Sequence, residues 1–268
     1  MTGWLLCLSG AAPIPIQSQV LLLAFELDPF NGVIIQSDAM PAETGAFRDA
    51  LQEIVTFSRC ESKNIVWLTL SIRRSHLIAV ATELGFVFHN CQEDELTLIL
   101  KAPTTTFVPF IPTHTVGAGA IITNDRGQIL VIREQGMTGF KLPGGHVELG
   151  ERIEDSVVRE VWEETGIRAR FLSIVGFTTR HPFRFGKSNV YFVCRLAPLT
   201  EDIAIQDPEE IAEARWVDWH DFIADKTNSP FNRQMVEELS HVDGLRAFEP
   251  TNNTGPFRKH ETFFARGK

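Results

Sequence analysis

Short apolar runs separated by turn-forming clusters dominate the first hundred residues, the pattern of a mixed sheet with helices packed on it. Val20 to Leu27 and Val33 to Gln36 are β-rich runs, and Asp28-Pro29-Phe30-Asn31-Gly32 between them is a turn cluster. Phe47, Leu51, Ile54 and Val55 recur at helical spacing, and Ile65 to Leu70 reads as a short buried strand. Ser71 is positioned to cap a helix whose apolar face is Leu77, Val80, Ala81 and Leu84, with Gly85 ending it. Phe86 to Phe88 and Leu96 to Leu100 supply two further strands.

The pattern breaks at Ala102 to Pro112, which reads APTTTFVPFIP, and resumes with a second series. Its strands are expected at His114 to Thr123, Gln128 to Arg133, Phe171 to Phe177, Asn189 to Leu196 and Glu213 to Val217. The strongest helical segment runs from about Glu154 to Thr165, and a C-terminal helix is expected over Arg233 to Leu239. The expected division is residues 1–102, a linker at 103–112, a second domain at 113–245 and a polar, weakly structured tail at 246–268.

Composition narrows this. The 268 residues are enough for two cores. A net charge of −9 argues against a nucleic-acid backbone as partner. Cys7, Cys60, Cys91 and Cys194 form no C-x-x-C pair and read as buried free thiols of a reducing compartment. No apolar run approaches the roughly 20 residues that span a bilayer. Met1 to Pro15 is apolar but lacks a positive leader and is broken by Pro13 and Pro15. A cytoplasmic protein without a membrane partner is expected.

Glu160, Glu163 and Glu164 lie at i, i+3 and i+4, so a helix projects all three carboxylates from one face, with Val158, Val161 and Trp162 expected on the core side. Like-charged helical pairs repel by roughly 0.2–0.5 kcal/mol each, and a divalent cation reverses that sign. Hard oxygen donors suit Mg²⁺ or Mn²⁺. Alone, such a triplet is more often a solvated acidic face.

The surroundings decide otherwise. Gly145 to Ile167 reads GHVELGERIEDSVVREVWEETGI, which matches G-x5-E-x7-R-E-U-x-E-E-x-G-U (U aliphatic) throughout. Seven fixed residue types give a chance match on the order of one in a billion per window. On this motif the chain resembles the Nudix hydrolases. The resemblance implies a loop–helix–loop holding divalent ions against a diphosphate, with Glu160, Glu163, Glu164 and the Gly145 carbonyl as ligands. Arg159 would orient the glutamates, and Glu151 would stand near the metals as outer ligand or proton acceptor. The general base is expected outside the motif, in Gln206-Asp207-Pro208-Glu209-Glu210, with Glu210 the first candidate and Glu209 the second.

Beyond the motif, FTTRHPFRFGKSNVYFVCRLAPL and EEIAEARWVDWHDF resemble a branch whose members include plant ADP-ribose and NADH pyrophosphatases. Those proteins carry an N-terminal acetyltransferase-like domain, whose end ATELGFVFHNCQEDELTLILKAP resembles. The implied fold is α/β (α+β): a Nudix α/β/α sandwich with a mixed sheet, preceded by the smaller domain, with a homodimer as one assembly. Arg180, His181, Phe183 and Arg184 are candidate substrate contacts, because cations meet phosphates and rings stack on bases. The S-Q-P-W-P-F-P signature of dedicated NADH diphosphatases is absent, which favours ADP-ribose, cleaved to AMP and ribose 5-phosphate. Two other readings stay open: a ligand sensor without activity, and an acyltransferase in the N-terminal domain. The first is at odds with the full set of motif carboxylates. The second lacks a glycine-rich phosphate loop near Ile72 to His76.

Overall fold

The computed structural model describes residues 23–29, 31–103, 111–248 and 260–265. Met1 to Pro15, Cys7 and most of the expected linker lie outside them. Two compact units meet in sequence between Ile111 and Pro112.

The first unit runs β1 (Phe25–Leu27), β2 (Gly32–Ile35), α1 (Thr44–Cys60), β3 (Ile65–Ser71), α2 (Ile78–Glu83), β4 (Val87–Cys91) and β5 (Glu95–Lys101). Its sheet has the order β1-β2-β3-β5-β4, with β2 and β3 parallel and the other pairs antiparallel. The expected helical stripe is real: Phe47, Leu51, Ile54 and Val55 of α1 are buried with Val33, Val66, Leu68 and Leu98 of the sheet. Glu43 starts α1 by accepting from the Gly45 and Ala46 amides. Ser71 does not cap a helix as expected: its side chain makes no capping bond, and a kinked 3-10 segment over Ile72–Leu77 precedes α2. Long-range bonds impose that geometry, since Arg74 donates to the Met40 carbonyl and the His76 ring meets the Ala42 carbonyl at 2.9 Å.

The second unit runs β6 (His114–Ile122), β7 (Gln128–Glu134), β8 (Gly144–His146), α3 (Ile153–Thr165), β9 (Ala169–Arg180), β10 (Ser188–Pro198), β11 (Ile211–Asp218), α4 (Trp219–Ala224), α5 (Pro230–Leu239), β12 (Arg246–Ala247) and β13 (Phe263–Phe264). A mixed sheet has the order β8-β6-β10-β9, with β6 and β10 parallel. β7 and β11 form a separate antiparallel pair.

Alternation along the strands builds cores on both faces. Ala118, Ala120 and Ile122 of β6 and Cys194 and Leu196 of β10 pack with Val157 and Val161 of α3. Ile121 of β6 and Val193 of β10 face the other way, onto Phe222 of α4 and Met235 and Val236 of α5. Helices therefore cover both faces, and the chain is mixed α/β in both units.

Several local expectations are corrected. Trp162 is 44% exposed rather than on the core side of α3, which is instead Val157 and Val161. The motif helix carries only a narrow apolar stripe, and Trp162 falls just outside it. The cysteines are not uniformly buried: Cys91 is exposed and Cys60 half-buried, whereas burial pushes the Cys194 thiol up to about 12. Part of the tail is ordered: β12 pairs with β13, and Leu245 bridges Ile174 of β9. The short α4 follows Asp218, whose carboxylate accepts from the His220 amide. Among the described residues no helix is long and apolar enough to cross a membrane.

The loop entering β8 is pinned from the connection between α4 and α5. Buried Asn228 accepts from the Phe140 amide at 2.7 Å and donates to the Phe222 carbonyl at 2.9 Å. Asn228→Ala leaves both groups unpaired and is expected to cost about 1–3 kcal/mol of stability, read as a lower urea midpoint at unchanged slope.

Candidate active site

α3 presents its acids to β8. Its core residues Val157 and Val161 dock the helix on the sheet, and buried Ser156 donates to the His146 carbonyl at 3.1 Å. Ser156 thus sets the helix against the last residue of β8. The opposing surface is backbone: the Gly144 amide donates to the Glu164 carboxylate at 2.7 Å. A Cβ on Gly145 would lie 2.6 Å from the Glu160 carboxylate. Gly145 is needed because the Glu160 carboxylate stands where its side chain would, and Gly144 because the Ala118 and Gly119 backbone does.

Arg159 ties the acids together. Its Nε and Nη2 donate to both oxygens of Glu151, at 2.8 and 3.0 Å. Nη1 donates to Glu160 at 3.0 Å and to Glu163 at 2.9 Å, and Nη2 also reaches the His146 carbonyl. The bidentate pair sets Glu151 against the helix and polarises both partners. The Arg159 hydrogen bonds hold Glu151 down to about 2, against burial that pushes it up. Arg159 itself is raised, chiefly by Glu151.

The other acids are shifted oppositely. Burial raises Glu160 above the ordinary carboxylate range, with Arg159 opposing. Burial pushes Glu164, only 4% exposed, up to about 8; Lys141 and the Gly144 amide oppose, while Glu160 and Glu210 add to the rise. Lys141 is ion-paired with Glu134 of β7.

Glu210 is exposed, but its loop is fixed beside α3. The Gln206 and Asp207 amides donate to the Glu163 carbonyl at 3.0 and 3.1 Å, and the Gln135 amide donates to the Glu210 carbonyl. Glu210 acts electrostatically on both Glu160 and Glu164. Glu209, the second candidate for the base, is exposed in the same turn.

The expected substrate loop joins the cluster at one end. Arg180, the last residue of β9, lies over the Phe231 ring at 4.4 Å. Both Arg180 and the acids Glu160 and Glu164 act on Tyr191, whose hydroxyl burial pushes up. Tyr191 fills space that a Cβ on Gly119 would take. His181, Phe183 and Arg184 stay local to the hairpin tip: the His181 ring meets the Ser188 hydroxyl at 3.1 Å, the Phe183 amide donates to the Lys187 carbonyl, and Arg184 is exposed.

Sequence reasoning missed Tyr191 and Lys141. Tyr191 is the single tyrosine of the chain, inside a strand read only for its apolar pattern. Lys141 stands just before Leu142-Pro143-Gly144-Gly145, a position that could have drawn attention.

The donor set fits a hard divalent cation: carboxylate oxygens crowded on one helix face, two of them raised by burial and by neighbouring acids, against glycine backbone. Among the described residues no three acidic, histidine or cysteine side chains already converge on a single point. Arg159 holds Glu160 and Glu163, and the Gly144 amide holds Glu164.

A mixed sheet between helices, with a glycine strand facing a helix of arginine-ordered glutamates, makes this an α/β domain whose acid-lined site suits a divalent cation. Residues 113–239 match the profile described as NUDIX domain, and residues 23–101 match the Nudix hydrolase domain that precedes it. The human protein named nucleoside diphosphate-linked moiety X motif 6 is 35% identical over 80% of this chain and 71% of its own. Nudix hydrolase 2 of Arabidopsis thaliana is 34% identical over 87% of this chain and 85% of its own. A crystal structure of a MutT protein from Methanosarcina mazei Go1 aligns with 49% of this chain and 96% of its own at 25% identity, with a TM-score of 0.42. This chain belongs to the Nudix hydrolase family and is a pyrophosphohydrolase of nucleoside diphosphate derivatives.

The raised Glu164 has a stability consequence in metal-free protein. The unfolded chain releases this proton near 4.5 and the folded chain near 8, so the folded state holds the extra proton between them and loses stability as pH rises through that window. With EDTA present, the thermal midpoint of the wild type is expected to fall relative to Glu164→Gln from about pH 5 to pH 8. Parallel curves would refute the burial effect.

Proposed function

We propose that this chain cleaves ADP-ribose to AMP and ribose 5-phosphate, with NADH as a second substrate, using Mg²⁺ or Mn²⁺. The observation that carries the reading is the Arg159-centred ordering of Glu151, Glu160 and Glu163 beside buried Glu164 and the Gly144–Gly145 backbone. Glu160, Glu163, Glu164 and the Gly145 carbonyl would hold the ions. Bound there, they would neutralise the bridging phosphates and raise the acidity of the attacking water.

The chain's own residues supply the rest. Arg159 fixes the spacing of the acids. Glu210 receives the proton of the attacking water, a role its electrostatic coupling to Glu160 and Glu164 supports over Glu209. On the substrate side, Arg180 on the Phe231 ring offers a planar cation beside Tyr191. Exposed Phe183 and Arg184, with His181, give the hairpin tip an aromatic and basic surface for a nucleotide. The relative's name, nucleoside diphosphate-linked moiety X motif 6, agrees with this substrate class.

A phosphate-release screen over ADP-ribose, NADH, nucleotide sugars, dinucleoside polyphosphates and coenzyme A, with Mg²⁺ and Mn²⁺ compared, tests the substrate. ADP-ribose is expected to give the highest kcat/KM, and a nucleotide sugar leading the series would displace it. Glu164→Gln is expected to lower kcat by about 10²-fold or more with an unchanged circular dichroism spectrum. Near-wild-type turnover would sink the assignment of the site. Glu210→Gln is expected to lose about 10²-fold in kcat and Glu209→Gln less than about threefold; the reverse order would move the base to Glu209.

A further inference from the structure

The helix that carries the glutamates has no N-terminal cap of its own. Its N-cap position is Arg152, whose side chain makes no capping bond. Two of the first-turn amides, otherwise orphaned, are taken by a residue from the far end of the chain. The Glu261 carboxylate accepts from the Ile153 amide through Oε2 at 2.8 Å and from the Glu154 amide through Oε1 at 3.3 Å. Arg152 Nε lies 3.9 Å from the same carboxylate, and the Arg152 guanidinium also pairs with Glu154 at 2.6 Å.

Glu261 is held in place by its neighbours. Phe263 packs against the Phe171 ring of β9, with centroids 5.7 Å apart, at the edge of the core beneath α3. Phe264 packs on Phe248, and β13 pairs with β12. The Glu261 side chain is 14% exposed and close enough to β10 to act on buried Cys194. This carboxylate is an inserted part of the second unit.

We propose that Glu261 is a positioning residue for the metal-binding helix, supplying through the C-terminal segment the cap that the family motif in this chain lacks. The proposal rests on the function argued above. The connection is short: Glu151, which takes two donors of Arg159, stands two residues before the first capped amide. An uncapped first turn frays. Fraying there releases the Glu148–Arg152 loop, then Glu151, and then the guanidinium that spaces Glu160 and Glu163. The cap thus reaches the acids through the loop and Arg159 without touching the reacting atoms.

The test uses the full chain and three variants: Glu261→Gln, Glu261→Ala, and Glu261→Ala combined with Arg152→Asp. Mn²⁺ binding is followed by electron paramagnetic resonance of free Mn²⁺. The kcat and KM for ADP-ribose are measured well below each variant's thermal midpoint. Glu261→Ala is expected to weaken Mn²⁺ binding and lower kcat by about 3- to 10-fold each, with KM within about twofold. Glu261→Gln keeps one acceptor, so it should show the same changes at smaller size and remain informative if the alanine variant folds poorly. Arg152→Asp places a capping carboxylate at the helix start, and the double variant should recover most of both losses. A lowered thermal midpoint with unchanged Mn²⁺ binding and kcat would overturn the proposal, leaving the cap a stabilising contact only. Losses that Arg152→Asp does not rescue would overturn it as well. If the wild type cleaves no ADP-ribose, the substrate reading fails by itself, and the Mn²⁺ titration still decides the role of Glu261.

Discussion

Glu151, Glu160, Glu163 and Glu164 place four carboxylates on one helix and the loop before it, and one guanidinium makes that arrangement tolerable. Arg159 donates to three of the four and to the carbonyl that ends β8. Buried like charges without a cation would be relieved by protonation or by separation of the groups. The pKa pattern shows how the site divides between those outcomes. Glu151, with two bonds to Arg159, stays ionised down to about 2, while Glu164, which Arg159 does not touch, is pushed up to about 8. Burial and one arginine together divide chemically identical residues: Arg159 makes Glu151 a charged brace, while burial makes Glu164 a raised acid and lifts Glu160 even against Arg159.

The sheet exists, for this purpose, to hold β8 and α3 at fixed separation. β6 joins β8 to the centre of the sheet, and its alternate residues feed both cores. Because helices cover both faces, a one-residue slip of β6 would turn Ile121 into the α3 core and Ala120 and Ile122 into the core under α4 and α5, so packing fixes its register. That rigidity extends to the site. The Gly144 amide meets Glu164 and the His146 carbonyl receives both Ser156 and Arg159, so the helix is registered on a strand whose own register is fixed. Tyr191 extends the same logic outward, filling the space over Gly119 while coupling to Arg180 on one side and the acids on the other.

Much of this was legible in the chain. The α1 stripe and the strands β3, β5, β6, β7 and β10 follow from apolar periodicity, because burial on a sheet or helix face imposes it. The motif carboxylates were legible because their spacing is fixed by a helix that the same residues form. What escaped was set by long-range partners. Ser71 fails as a cap because Arg74 and His76 are bound to the Met40 and Ala42 carbonyls. Three-residue β8 has no periodicity to read. Lys141 and Tyr191 acquire their place only once the strands are assembled. Glu261 was read as part of a polar tail, since nothing local says that it caps a helix more than a hundred residues earlier.

The same bookkeeping of partners bears on how an acidic protein receives an anionic substrate. The net charge is −9, and the cations near the acids are already engaged. Arg159 is committed to glutamates, Lys141 pairs with Glu134, and Arg133 pairs with Glu213 at 2.9 Å. Arg215 lies 4.0 Å from the centre of the Phe140 ring, and Arg180 is stacked on Phe231. Arg215 also pairs with Glu213 at 3.7 Å, so among these described cations Arg180 is the one set against a neutral ring alone, and it can meet a phosphate without giving up a carboxylate. On the proposed function the diphosphate then finds its compensating charge in two places: divalent ions held by Glu160, Glu163 and Glu164, and Arg180 at the hairpin edge. Substrate affinity should therefore depend more on the metal than on any single side chain. The hairpin tip around His181, Phe183 and Arg184 is then left to sort substrates by what is attached to the second phosphate.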